Sequence, residues 1–266
     1  MWQKRVNLFG ILVDDISLEK ALVLSRRALA KGEKMVVFTP NLEFLRGAKG
    51  SKQLKGILNS ASIALPDGFS LRIVARLLGE ELKNTIAGID FGENLLKLCA
   101  KEGRGVFIIG GEEGIALLAS LNMIKKNPSL KISGTHHGYF SSSEQDNIIE
   151  RINSSDAEVV LVCMGFPRQE KFVFENIGSL EKVKIIACLG GSLDVWAHKT
   201  KRAPRYLRDL HLEWLWRILL EPERATRFAR SLCVLGEATL VFLKNECALI
   251  GISAKALAYN LTDVCS

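Results

Sequence analysis

The 266-residue sequence predicts an α/β fold, a largely parallel sheet flanked by helices with a C-terminal helical appendage. Three observations carry that expectation. Short apolar runs alternate with amphipathic stretches of helical period, the pattern of βαβ units. The runs VFIIGG, VVLVCMG and IIACLGG are almost continuously apolar and end in glycine, as strands buried on both faces do where they leave a sheet. From residue 205 to 258 no strand-like run recurs, and the text is helical throughout.

In chain order, an amphipathic stretch at 17–30 precedes the first strand, MVVFT at 35–39. A helical stretch at 42–59 leads to a second strand, SIAL at 62–65, then to helices at 69–78 and 91–101. Strands at 106–109, 130–133, 159–164 and 183–189 follow, separated by helices at 114–126, 143–152 and 168–177. The alternation reads as a Rossmann-like sheet. A boundary near 195–200 divides a 1–198 α/β core from a 199–266 basic, apolar helical appendage, broken at Glu221-Pro222, where Pro222 suits the first turn of a new helix. Repeats and low-complexity tracts are absent from the sequence.

Composition is that of a globular protein, 48% hydrophobic and 24% charged, with a mean hydropathy of +0.15. A net charge of +7 and a pI near 9.1 suggest an anionic partner: nucleic acid, a phosphorylated substrate or a lipid surface. Residues 199–230 hold nine basic and four acidic residues, a local excess of +5. The six cysteines are scattered without any Cys-x-x-Cys, which fits a reducing compartment. The N-terminal MWQKRVNLFGILVDD has no long apolar core before its acids, so no signal peptide is expected.

Three strand ends carry polar residues: Thr39 and Asn41 in FTPN, Asp67 in LPDG, and Gln169 in MGFPRQE. In a parallel sheet all three lie on the carboxyl edge, where open α/β proteins bind ligands. Each has a plainer reading as well: Thr-Pro-Asn as a helix cap, Pro-Asp-Gly as a turn, Gln169 as a cap. Pro167 suits the first helical position, and the free N–H groups beyond it can bind an anion. Gly190-Gly191 and Gly110-Gly111 could let a phosphate approach the backbone. IIGGEEG lacks the G-x-G-x-x-G spacing, and Glu112 and Glu113 would repel a pyrophosphate, so Gly110-Gly111 reads as structural.

No metal site is expected. His136 and His137 are adjacent and would point apart on a strand, and no Cys/His cluster has zinc spacing. A nucleotide-sugar enzyme would then stabilise its leaving pyrophosphate with hydrogen-bond donors and cations. Such cations stand in WLWRILLEPERATRFAR: Arg224, Arg227 and Arg230 recur every three residues, with Arg217 seven before Arg224. Trp214, Leu215, Trp216, Ile218 and Leu219 crowd beside them, a composition of a helix lying on an anionic bilayer or of a solvated helix face. Three charges within residues 232–252 argue against a membrane span there. The apolar interleaving also argues against nucleic acid as the partner.

The motifs TPN (39–41), PDG (66–68), AGID (87–90), GTHHGYF (134–140), GFPRQE (165–170), GGSLDV (190–195), KRAP (201–204) and LEWLWRILLEPER (212–224) stand in this order. Together they resemble the WecG/TagA/CpsF family of bacterial glycosyltransferases over roughly residues 6–230. The resemblance implies metal-independent, cofactor-free, inverting transfer of a sugar from a UDP-sugar to a lipid-diphosphate-linked acceptor. In its teichoic-acid branch the donor is UDP-N-acetylmannosamine and the acceptor N-acetylglucosamine on undecaprenyl diphosphate; the uronic acid or glucose donors are alternatives. It implies Asp67 as catalytic base and Thr39, Asn41 and Gln169 in the substrate pocket. Gly68, Asp90, Gly190 and Gly191 are expected beside them, and Arg217, Arg224 and Arg227 as arginines of the appendage that complete the site. It also implies a cytoplasmic protein held peripherally on the inner leaflet.

Thr85 departs from the family pattern, which carries an arginine there. A nicotinamide-dependent oxidoreductase is the rival on such a sheet, but it needs a glycine fingerprint followed by an acid about twenty residues on. A non-catalytic membrane-surface adaptor would leave the strand-end polar cluster without a purpose. The sequence leaves oligomeric state open between a monomer and a homo-oligomer.

Overall fold

The computed structural model describes residues 4–249. It opens with an antiparallel hairpin, β1 (Arg5–Leu8) and β2 (Ile11–Asp14). Phe9 and Gly10 join the strands with φ of 54° and 87°, the doubly left-handed turn that matches strand twist. The Asn7 side chain accepts the Gly10 N–H at 2.7 Å and fixes the turn.

The α/β core follows: α1 (Leu18–Lys31), β3 (Met35–Phe38), α2 (Leu42–Gly47), α3 (Lys52–Asn59), β4 (Ile63–Ala64), α4 (Ser70–Leu77) and α5 (Gly88–Glu102). Then come β5 (Gly105–Gly110), α6 (Ile115–Lys126), β6 (Lys131–His136), α7 (Gln145–Ser154), β7 (Ala157–Cys163), α8 (Arg168–Asn176), β8 (Ile185–Cys188) and α9 (Ser192–Trp196). Four further helices close the described chain: α10 (Arg205–Asp209), α11 (Glu213–Leu220), α12 (Arg224–Ser231) and α13 (Cys233–Leu249).

The main sheet has the order β4-β3-β8-β7-β5-β6, and every pairing in it is parallel. All six expected strands are present. Side chains alternate between its faces. Val36, Phe38, Val160, Val162 and Ile186 face α2, α3, α4, α7 and α8, while Val37, Val159, Leu161 and Ile185 face α1, α5, α6 and α9. Full burial of each large apolar side chain contributes about 1.5–3 kcal/mol, so strands buried on both faces must be apolar throughout.

Topology sets the ligand edge. Beyond β7 the chain runs through α8 to β8 on one side; beyond β5 it runs through α6 to β6 on the other. The two connections cover opposite faces, so a crevice opens between them at the carboxyl ends.

Several details differ from the sequence expectation. The hairpin was not expected. Its open side covers β4: Arg5 Nη2 donates to the Ala61 and Ser62 carbonyls at 3.2 Å each, and the fully buried Asp14 accepts the Ala64 N–H at 2.7 Å. The stretch 42–59 is two helices, because Gly50 takes φ 74° and the Ser51 side chain caps a new start on the Leu54 N–H. Pro167 caps α8 after a cis Phe166–Pro167 bond and does not occupy the first helical position. Pro222 lies in the turn before α12, outside its first turn.

α13 lays Val234 and Ala238 into the core cluster that holds Leu71 and Val74 of α4 and Phe44 and Leu45 of α2. A Lys49–Glu237 ion pair fastens the same contact. Among the described residues, no helix is long and apolar enough to cross a membrane.

Candidate active site

Asp67 follows β4 in a loop braced on both sides. The Leu65 N–H donates to Phe38, the Asp67 N–H to Pro40, and the Ile86 N–H to Pro66, all at 2.8 Å. Gly68 completes the turn with φ 94°, a backbone that residues with side chains rarely adopt. The Asp67 side chain is half-buried, and its Oδ2 accepts the Gly88 N–H at 3.2 Å. Gly88 begins α5, so the carboxylate lies at the positive end of a 15-residue helix.

Burial pushes the Asp67 carboxyl up to about 6, opposed by the Gly88 N–H and the Arg217 guanidinium and reinforced by Glu213 and Asp90. A carboxyl titrating there is ionised at neutral pH yet basic enough to take a proton.

The neighbouring strand ends converge on it. Thr39 is buried and donates its hydroxyl to the Cys188 carbonyl at 3.0 Å, tying β3 to β8. Asn41 is the cap of α2, accepting from the Glu43 and Phe44 N–H groups at 2.9 and 3.4 Å, as the plainer reading proposed. Gln169, buried in the first turn of α8, accepts the Gly190 N–H at 3.1 Å and donates to Glu170 at 2.6 Å. It thereby fixes the Gly190-Gly191 loop after β8, in which Gly190 has φ 53°.

Thr39, Asn41, Asp67, Gly68, Asp90, Gln169, Gly190, Gly191, Arg217 and Arg227 all line one cleft of about 1080 Å³. Thr85 lines it too. Arg224 opens α12, but its side chain lies outside the described residues. The later helices form one wall. Phe69 stacks on His211 at 4.6 Å, and Trp214 stacks on Phe228 at 4.5 Å. On α11, Arg217 Nη2 donates to Glu213 Oε1 at 3.2 Å.

The glycines after β5 are structural, as expected. A side chain at Gly110 would come within 2.2 Å of the Cys163 carbonyl, and Gly111 and Gly138 exchange a backbone hydrogen bond of 2.8 Å. His136 and His137 do not point apart. β6 ends at His136, the chain turns, and the two rings lie 4.4 Å apart. Among the described residues, no group of three or more His, Cys, Asp or Glu side chains could hold a metal ion.

Sequence reasoning missed several members of the cleft. Glu170 is fully buried beneath it, with Oε2 lacking a hydrogen-bond partner, and burial pushes its carboxyl up to about 8. Its only signal was a charge in the middle of an apolar helix face. Glu213 and Arg168 line the cleft, and Arg202 lies in its wall, ion-paired to Asp90 at 2.7 Å. The partners of Arg202 and Arg168 are remote in sequence, and the i,i+4 pairing of Glu213 with Arg217 gave no sign of the cleft.

A family model described as Glycosyl transferase WecG/TagA/CpsF family matches residues 6–245. A Bacillus spizizenii protein named N-acetylglucosaminyldiphosphoundecaprenol N-acetyl-beta-D-mannosaminyltransferase is 32% identical over 198 residues, 74% of this chain and 75% of its own. A Bacillus subtilis protein of the same name is 31% identical over 192 residues, 72% of this chain and 74% of its own.

Proposed function

The chain belongs to the WecG/TagA/CpsF family of glycosyl transferases, and we propose that it transfers N-acetylmannosamine from UDP to N-acetylglucosamine on undecaprenyl diphosphate in cell-surface polymer synthesis. The acceptor and the sugar follow the names of the two Bacillus relatives. The UDP donor follows the family resemblance in the sequence.

The observation that carries the proposal is Asp67, a half-buried carboxyl raised to about 6 and aimed into a large cleft beside Arg217. In the proposed step the acceptor hydroxyl attacks the anomeric carbon and loses its proton to Asp67. The new C–O bond forms as the bond from that carbon to the diphosphate oxygen breaks, with inversion. UDP departs with the electron pair. Its added negative charge falls to Arg217 and Arg227, cations in the cleft wall that stabilise the transition state more than the bound donor. One base and a cationic wall suffice, so no metal ion is required. Thr39, Asn41 and Gln169 shape the floor, while Gly190 and Gly191 let a ligand approach the backbone.

The reading extends to a membrane surface. Leu219, Leu220 and Leu232 are exposed on the late helices among basic residues, which suits adsorption to an anionic leaflet near a lipid-linked acceptor. Residues 199–266 act here as the membrane-associating part and 1–198 as the catalytic core.

The test is UDP release from UDP-N-acetylmannosamine with a soluble N-acetylglucosamine-diphosphate-lipid analogue. Asp67→Asn should fold, bind UDP and lose on the order of 10²–10⁴-fold in rate. Near-wild-type turnover by that variant would overturn the assignment.

A further inference from the structure

Five charges stand in or just behind one wall of the cleft: Asp90, Glu213, Arg217 and Asp67 line it, and Arg202 lies behind them. Arg202 Nη2 lies 2.7 Å from Asp90 Oδ1, and its Nε lies 4.0 Å from Glu213 Oε1. Glu213 Oε1 in turn is 3.2 Å from Arg217 Nη2. Among the described residues, Arg217 is the cation that favours Asp67 ionisation, whereas Glu213 and Asp90 oppose it.

Arg202 does not line the main cleft. It faces a small recess of about 10 Å³ behind Gly191 and Arg217, and its side chain is 17% exposed. Its buried Nε and Nη2 atoms make no hydrogen bond of acceptable geometry, so its contacts are ionic. The flanking segment is held on both sides. Lys199 pairs with Glu112 of the core at 2.8 Å, while Thr200 donates to Glu221 and the Trp216 indole donates to the Lys201 carbonyl.

We propose that Arg202 is a positioning residue for the transfer reaction: it neutralises Asp90 on α5 and Glu213 on α11, and so leaves Arg217 to act on Asp67 and the departing diphosphate. A planar guanidinium holds its donors in a rigid fork spread over a wider span than the compact ammonium of a lysine. Without Arg202, Asp90 beside the base loses its 2.7 Å ion-pair partner, and Glu213 draws Arg217 more strongly to itself. Asp67 then ionises at higher pH. The charges that act most on Asp67 are Arg217, Glu213 and Asp90; Glu43, Glu112, Arg168, Asp194, Lys199, Arg208, Asp209, His211 and Arg227 line the same cleft. Arg202 is placed to offset the two acids that the base feels most.

The inference rests on Asp67 as base, and the test separates the two. The pH profile of kcat/KM is measured for the full chain, for Arg202→Met and for Arg202→Lys. In Arg202→Met the acid limb should move upward by roughly half a unit to one unit. Its deficit should be up to about tenfold at pH 5.5 and small at pH 7.5. Arg202→Lys, which keeps the charge without the fork, should shift the limb by less and serves if the Met variant fails to fold. A wild-type limb near 6 with an unmoved limb in both folded variants, or a rate loss equal at every pH, overturns the role of Arg202 alone. A wild-type profile with no limb near 6 overturns Asp67 as base and this role with it.

Discussion

The backbone N–H of Gly88 donates to Oδ2 of Asp67 at 3.2 Å, so the first residue of one helix holds the carboxylate that follows β4. The bond favours the charged form while burial opposes it, and burial wins, leaving the group near 6. Gly88 itself has little room: a side chain there would approach Thr39 to 3.2 Å.

A base must be ionised to act. The kcat/KM of transfer should therefore rise about tenfold per pH unit below 6 and level off above it. Initial rates of UDP release across pH 4.5–7.5 check this, and a flat profile would contradict it.

The same burial costs stability. Asp67 holds its proton more tightly folded than unfolded, so wild-type stability falls as pH rises from about 3.8 through about 6. Asp67→Asn escapes that loss and should melt higher above pH 6, with the gap closing below pH 4. Thermal melts of both proteins at several pH values measure it.

Glu170 behaves likewise in a deeper place. Its carboxyl rises to about 8 because burial outweighs the hydrogen bond from Gln169, and Glu43 adds to the rise; the Cys188 thiol is a titratable neighbour. Relative to Glu170→Gln, which mimics the neutral acid, the wild type should lose stability between pH 4.5 and 8 and have lost it fully above 8. Ionisation should strengthen the bond that Gln169 Nε2 donates to Glu170, so the Gln169–Gly190 contact and the activity should persist on that alkaline side. Parallel melts and rate profiles to pH 9.5 test both effects.

Gly110→Ala should destabilise by about 1–3 kcal/mol or more. Its side chain would collide with the Cys163 backbone at 2.2 Å, and its φ of 147° disfavours any side chain. Denaturant titration gives the value.

Removal of residues after 231 should lower the melting temperature and raise dye binding to exposed apolar surface. Val234 and Ala238 would no longer cover Leu71 and Val74. An unchanged melt would show that α13 adds nothing to the core.

The main sheet was legible because β3, β5, β7 and β8 carry apolar runs that follow from burial, whereas the border strand β6 (KISGTH) is mixed and only partly buried. The hairpin escaped notice because its strands are only four residues long, with alternation in β1 alone, and its turn uses Phe9-Gly10 in place of the commoner Asn-Gly. That Asp67, Thr39, Asn41 and Gln169 share one cleft was legible because topology alone gathers the ends of parallel strands. Arg202, Glu213 and Glu170 could not, since their significance comes from neighbours brought close only by folding. The two histidines misled for a simple reason: strand geometry was extended one residue past the strand's end.

The amino-terminal hairpin has one more effect. A two-residue strand at the border of a sheet would normally offer its unpaired backbone to any passing polypeptide. Here Asp14 takes the Ala64 N–H, and Arg5 takes the two carbonyls before it. Intermolecular β-pairing, the first step of aggregation, is blocked beside the very loop that carries Asp67. Crowded molecules of this protein are left with the opposite border, β6, which begins with a lysine that discourages the same event.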